Sequence, residues 1–202
     1  MLHHRKLINY IFLSVLMLAV GGCGGRSAPT SFFILSAIDD TPEKVIKPAD
    51  FNILVGPVTV ARYLDRDQIV IRDRDTEVVL DEFNQWAEPL ADNLKRVVVE
   101  NLSILLGTSE IYDIDRHSSK AVDFQLSIDV HRFDIDSEGS ALLMVFWSVI
   151  DDKQVNLKRE KRVLRRQVKQ EDMPGAYVSI QNDMVAELST EIANELISLS
   201  KD

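Results

Sequence analysis

Between Asn52 and Asp81 the chain runs in short β-branched and apolar stretches: "NILVGPVTVA" (52–61), "QIVIRD" (68–73) and "TEVVLD" (76–81). Such residues fit a pleated, half-buried surface, and they predict three strands. Gly56-Pro57 interrupts the first and predicts a bulge or an edge position. Arg74-Asp75 predicts the turn of a hairpin between the other two, although it lacks a glycine. After Pro89 the period changes. Leu90, Leu94, Val97, Val98, Asn101, Leu102 and Leu105 recur three and four apart, as on one face of an amphipathic helix. Gly107 stands where a glycine commonly ends such a helix.

The second half repeats the theme with longer strands. "EIYDI" (110–114) predicts a short one. In "VDFQLSIDVHRF" (122–133), Val122, Phe124, Leu126, Ile128 and Val130 alternate with polar residues, which predicts one buried face. "ALLMVFWSVI" (141–150) is apolar on both faces and predicts a central strand covered on both sides. "VNLKREKRVLRRQV" (155–168) predicts a third long, heavily charged strand, and Pro174-Gly175 opens a final helix with the stripe Ile180, Met184, Leu188, Ile192, Leu196 and Leu199. With "FFIL" (32–35) as a further short strand, there are two helices for seven or eight strands. That ratio implies a single α+β domain: a mixed, mostly antiparallel sheet with both amphipathic helices packed on one face.

The N-terminus has a different character. His3, His4, Arg5 and Lys6 precede an apolar run of 14 residues, Leu7 to Val20. That is short of the roughly 20 residues needed to cross a bilayer as a helix, but it suits the apolar region of a signal peptide. Cys23, the single cysteine, follows Gly21-Gly22. "VGGC" resembles a bacterial lipobox, which implies cleavage after residue 22 and an N-acyl and S-diacylglycerol lipid on Cys23; the alternative is a free thiol beside an ordinary cleavage site. The organisation expected is therefore a signal peptide (1–22), a lipidated cysteine with a short tether (23–31) and one domain (32–202).

Charge narrows the function. The chain carries a formal −9, with 23 Lys and Arg against 32 Asp and Glu; without Arg5 and Lys6 the balance is 21 against 32, or −11. Such a chain is a poor partner for nucleic acid or for anionic lipid at long range. The run Lys158 to Lys169 holds seven Lys or Arg and one Glu. It reads as an edge strand protected by charge against pairing, or as a partner surface.

Catalytic chemistry is weakly represented. There is no Gly-x-Ser-x-Gly elbow and no phosphate-cradling glycine loop. Beyond residue 22 the histidines are His117, in the polar loop with Ser118 and Ser119, and His131, one strand face with Asp129. Two candidate ligands fall short of the three or four that zinc takes from protein. The reading is of a non-enzyme with no cofactor and no metal.

"VGPVTVARYLDRDQIVIR" (55–72) with "NQWAEPLADNLKRVVVENLSILL" (84–106) resembles the ABC-type transport auxiliary lipoprotein family, and within it the Pqi-type (paraquat-inducible) branch. The likeness runs on through the strand at 123–133, "LLMVFWSVID" and the final helix. It departs at Arg62, where members often carry a proline. The resemblance implies a lipidated domain without catalytic residues, accompanying an MCE-type (mammalian cell entry domain) system that moves lipid between the two membranes of Gram-negative bacteria. Gly24, in place of an inner-membrane-retaining aspartate, implies attachment to the periplasmic side of the outer membrane. The expected partners are a periplasmic MCE-domain protein, the membrane and further copies of the chain.

The charged knot "RYLDRD" (62–67) between the first two strands has two readings: a connection held by ion pairs among its own side chains, or a docking surface made of Arg62, Tyr63, Asp65 and Arg66. A different role, a carrier that itself holds an acyl chain, is suggested by the doubly apolar strand 141–150, since one layer of helices covers only one sheet face.

Overall fold

The computed structural model describes residues 29–74, 76–117, 121–167 and 175–201. The signal sequence, Cys23, Asp75, Ser118, Ser119 and Pro174 lie outside them. In chain order the elements are β1 (Ser31–Phe33), β2 (Ile53–Val60), β3 (Gln68–Asp73), β4 (Glu77–Trp86), α1 (Leu90–Leu105), β5 (Ile111–Asp113), the single turn α2 (Ile114–His117), β6 (Phe124–Asp136), β7 (Ser140–Asp151), β8 (Asn156–Gln167) and α3 (Gly175–Leu199). They form one open mixed sheet with helices, an α+β domain.

β6 organises the sheet. Along its whole length it pairs antiparallel with β7, which pairs antiparallel with β8. On its other edge two strands share it in succession. β2 runs parallel to its first part, as far as Val60 opposite Val130, and β3 runs parallel to its last part, with Ile71 opposite Ile135. β5 extends the sheet beyond β2, and β4 and then β1 extend it beyond β3. The Gly56-Pro57 break is a bulge between Val55 and Val58, and β2 is an interior strand, not an edge. Gly56 has φ +131°, and a Cβ there would run into Ile114 of α2, so the backbone conformation and the close approach both require glycine.

α1 and α3 bury their stripes together with one sheet face. Leu94, Val98 and Leu102 of α1 and Met184, Leu188 and Ile192 of α3 join Ile128, Val130, Leu143, Val145 and Trp147 in one core. Asn101, placed in the apolar stripe, is buried because it works there. It accepts the Ile38 N–H (2.9 Å) and donates to Ser189 Oγ of α3 (3.1 Å), while Asn93 accepts the Leu35 N–H (3.1 Å). Two asparagines on α1 thus hold the segment after β1 across the helix through their Oδ1 atoms, while Asn93 Nδ2 is buried without a hydrogen-bond partner.

The other sheet face has no helix on it. Ala141, Leu143, Val145, Trp147 and Val149 of β7 are buried toward the helices; on the opposite side Leu142 is buried as well, whereas Met144, Phe146 and Ile150 are half-buried. The two-sided cover expected for β7 therefore holds at Leu142 and is one-sided from Met144 onward. Two long helices side by side are enough for one face and cannot reach the other.

Candidate functional site

The charged knot lies where β2 gives way to β3 along β6. Ala61 N–H still bonds Val130 O (2.8 Å), the last step of the β2 register, and the chain then turns through Leu64 N–H to Ala61 O (2.8 Å) and Arg66 N–H to Leu64 O (2.9 Å). Leu64 is 1% exposed and pins the turn into the core. The side chains that hold the turn are not an Asp–Arg set of its own. Arg66 Nε donates to Tyr63 O (2.7 Å), and Tyr63 Oη donates to Asp134 Oδ2 of β6 (2.6 Å).

β6 has a bulge at this point, between Val130 and Arg132. The extra residue carries Asp134 onto the open face beneath the knot, with its carboxylate fully covered. Besides Tyr63 it accepts Arg132 Nε (3.2 Å) and Nη2 (2.5 Å), and Arg72 Nη2 of β3 (3.4 Å). The Arg72 guanidinium also lies 5.3 Å from the Tyr63 ring centre. Burial, then the hydrogen bond and the negative charge of Asp134, push the Tyr63 hydroxyl up to about 12, so it stays a neutral donor. One carboxylate thus orients two guanidiniums from two strands and one phenol from the turn between β2 and β3.

Of the four residues expected to dock a partner, Tyr63 is half-buried and serves this network, and Arg66 is partly buried against the Tyr63 carbonyl. Arg62 and Asp65 are exposed, on top of a rigid base. Asp134, Arg72 and Arg132 were not picked out from sequence. The signal was present: buried positions step by two from Phe124 to Val130, then by three to Phe133, which marks a bulge.

The remaining candidates separate. Thr59 Oγ1 donates to Asp129 Oδ1 (2.7 Å) and His131 Nε2 meets Asp129 Oδ2 (2.8 Å), all on the open face; the Thr59 bond first, and then His131, holds the Asp129 carboxyl below its usual range against partial burial. Among the described residues no group of three or more His, Cys, Asp and Glu side chains could hold a metal. His117 ends α2 with its ring 5.2 Å from Tyr112. Trp86 is the last residue of β4, just before α1; it is 5% exposed and stacks on Phe133 at 6.4 Å.

The basic run of β8 is divided by the pleat. Toward the helices, Arg162 bonds Glu191 (2.6 Å) and Glu187 (3.1 Å), Arg166 pairs with Glu187, and Lys158 reaches Glu195 (3.4 Å). These glutamates recur every fourth residue along α3. Arg159, Lys161 and Arg165 are exposed on the open face, in register with Ser148, Phe146 and Leu142 of β7.

The sequence profile of the ABC-type transport auxiliary lipoprotein component matches residues 33–193. The chain belongs to that family. It is 26% identical over 94 residues to the intermembrane transport lipoprotein PqiC of Escherichia coli (strain K12), which covers 46% of this chain and 50% of PqiC, and the Shigella flexneri PqiC matches equally. The chain thus spans about half the length of the curated relatives it matches, and these matches support the Pqi-type branch. In fold it is similar to a protein from Xanthomonas campestris of known crystal structure, at a TM-score of 0.70 and 20% identity over 85% of this chain and 97% of that one. A second crystal structure, of an uncharacterized protein, gives a TM-score of 0.65 at 22% identity, covering 84% of this chain and 99% of that one. Family members are auxiliary lipoprotein components of transport systems. Among the described residues no helix is long and apolar enough to cross a membrane.

Proposed function

We propose that this auxiliary lipoprotein works without catalysis, as the outer-membrane component of an MCE-type, Pqi-like intermembrane lipid transport system. In this reading a lipid on Cys23 tethers it to the periplasmic face of the outer membrane. Its folded domain docks a periplasmic MCE-domain protein, in company with further copies of itself. Residues 24 to 30 separate Cys23 from β1; seven residues reach at most about 25 Å, so the domain would stay close to its membrane.

The observation that carries the docking role is the seam between β2 and β3. Exposed Arg62 and Asp65 project from a turn that is fixed by a buried carboxylate network and by Leu64. Side chains presented from so rigid a base lose little freedom on binding, which favours recognition. The test is affinity capture of the detergent-solubilised protein from cells that express both components. We expect an MCE-domain protein in the eluate. An eluate without one would overturn the docking role. The anchor is tested separately: Cys23→Ser is expected to leave uncleaved or soluble protein, and unchanged membrane fractionation at the mature mass would exclude Cys23 as the anchor.

A second reading, that the domain itself carries an acyl chain, rests on the uncovered side of β7.

A further inference from the structure

The open face of the sheet is chemically unlike the rest of this acidic chain. It presents Arg72, Arg132, Arg159, Lys161 and Arg165 against Asp129, Asp134 and Asp136. Three of the bases meet at one end. Arg72, Arg132 and Arg165 line a cleft of about 290 Å3 together with Leu142, Ser137 and Ser140. Arg74, Asp136 and Glu138 line it as well, four guanidiniums against two carboxylates, and Asp136 accepts the turn amides of Glu138 (3.0 Å) and Ser140 (2.8 Å).

The electrostatic balance inside the cleft is positive. Asp134 is one carboxylate shared by two guanidiniums, and its third partner, Tyr63, is neutral. Arg132 spends Nε and Nη2 on that carboxylate, which fixes the plane of its fork. Arg165 makes no ion pair among the described residues and is exposed at the opposite wall. Guanidiniums held in a fixed plane match the paired oxygens of phosphate better than flexible ammonium groups do.

From this cleft, past the buried Leu142, an apolar strip leads away along β7 through half-buried Met144 and Phe146, with exposed Val163 of β8 beside Met144. Lys161 lies 5.7 Å from the Phe146 ring centre and His131 packs on the other side of it at 4.8 Å. Met144 to Phe146 spans about 7 Å of strand, enough to lie against one segment of an acyl chain. The cleft itself is at the small end of ligand pockets, which run from about 300 to 1,000 Å3. It has room for a headgroup, with the tail lying outside.

We propose that the open sheet face binds an anionic phospholipid, with its phosphodiester between Arg72, Arg132 and Arg165 and one acyl chain along Met144 and Phe146. This gives the carrier reading a named site, and it stands apart from docking: loss of partner capture would leave it untouched. A polyanion such as nucleic acid would find the cation path broken by the apolar strip. A phospholipid matches both halves.

The test is isothermal titration of the full chain, held in amphipol, with short-chain phosphatidylglycerol and, in parallel, with glycerol 3-phosphate. We expect saturable lipid binding that weakens at least about tenfold in Arg165→Glu and about fivefold in Phe146→Ser, at unchanged melting temperatures. Glycerol 3-phosphate should bind more weakly and ignore Phe146→Ser. Equal affinity for the two ligands would reduce the site to a phosphate site and overturn the acyl half. Undiminished lipid binding by a folded Arg165→Glu would overturn the cleft. Failure of the lipid to bind, with an acidic protein captured through Arg165 instead, would make the face a protein interface and overturn the proposal.

Discussion

The two sides of β8 carry similar charges to different ends. Lys158, Arg162 and Arg166 face α3 and are matched by Glu195, Glu191 and Glu187. Arg159, Lys161 and Arg165 face away and have no helix above them. The covered side of β8 uses its cations to close the fold, whereas on the open side Arg159, Lys161 and Arg165 make no ion pair among the described residues. At the other end of the open side Asp134 is buried, pairs with Arg72 and Arg132 and holds the knot in place. The contrast teaches that residue type and spacing along a strand do not reveal purpose; the layer opposite does.

The largest effect should come from the covered side. Trp86→Ala removes a ring stacked on Phe133 in the core, and should cost about 3–5 kcal/mol, as large aromatic truncations do. Urea denaturation would check it. A loss below about 1 kcal/mol would mean that Trp86 is an interface residue and that core and surface have been exchanged.

The buried carboxylate comes next. Asp134→Asn keeps the shape but leaves Arg72 and Arg132 without their shared carboxylate. Both arginines retain some solvent, so about 2–4 kcal/mol is expected, at or below the range for breaking fully buried pairs. Equal melting temperatures for mutant and wild type would show that the knot does not need its base.

Tyr63→Phe should cost about 1.5–3 kcal/mol, the worth of a hydrogen bond to a charged group. It should also change the alkaline limb of the stability curve. The folded-state value of about 12 stands above the ordinary 10, so the neutral phenol stabilises the fold fully below about pH 10 and that contribution is lost as pH rises toward 12. Thermal melts at pH 9 and pH 11 would compare the two. An identical alkaline loss in the Phe variant would remove Tyr63 from the account.

The smallest effects test the division of β8 itself. Glu187→Ala, which strips partners from Arg162 and Arg166, should cost up to about 1 kcal/mol, since these pairs are partly exposed, and less in high salt. Arg159→Ala and Arg62→Ala should stay within about 0.5 kcal/mol. If the open-side variants proved the more destabilising, the contrast would be reversed.

Much of this fold can be read from the chain. The period-2 run at 124–130, the continuous apolar run at 141–150 and the three-four stripe of α1 each record a local element, and each is where the pattern puts it. Less legible was whatever depends on distant pairing. Nothing between Arg72 and Asp134 in sequence says that β3 will replace β2 along β6, so neither the buried network nor the position of the knot could be assembled beforehand. β7 is apolar on both sides, and its sequence does not say which side the helices choose. The basic run of β8 looked uniform because α3, which claims half of it, follows later in the chain.

The central claim is that the exposed crest of the knot meets a partner while the helix side does not. Site-specific photo-crosslinking in living cells tests it most directly, with the photoreactive residue placed at Asp65 or, for comparison, on the α3 side at Glu195. A crosslink from position 65 to a periplasmic MCE-domain protein, absent at position 195, is the predicted result. A crosslink to that protein from position 195 alone would contradict the account.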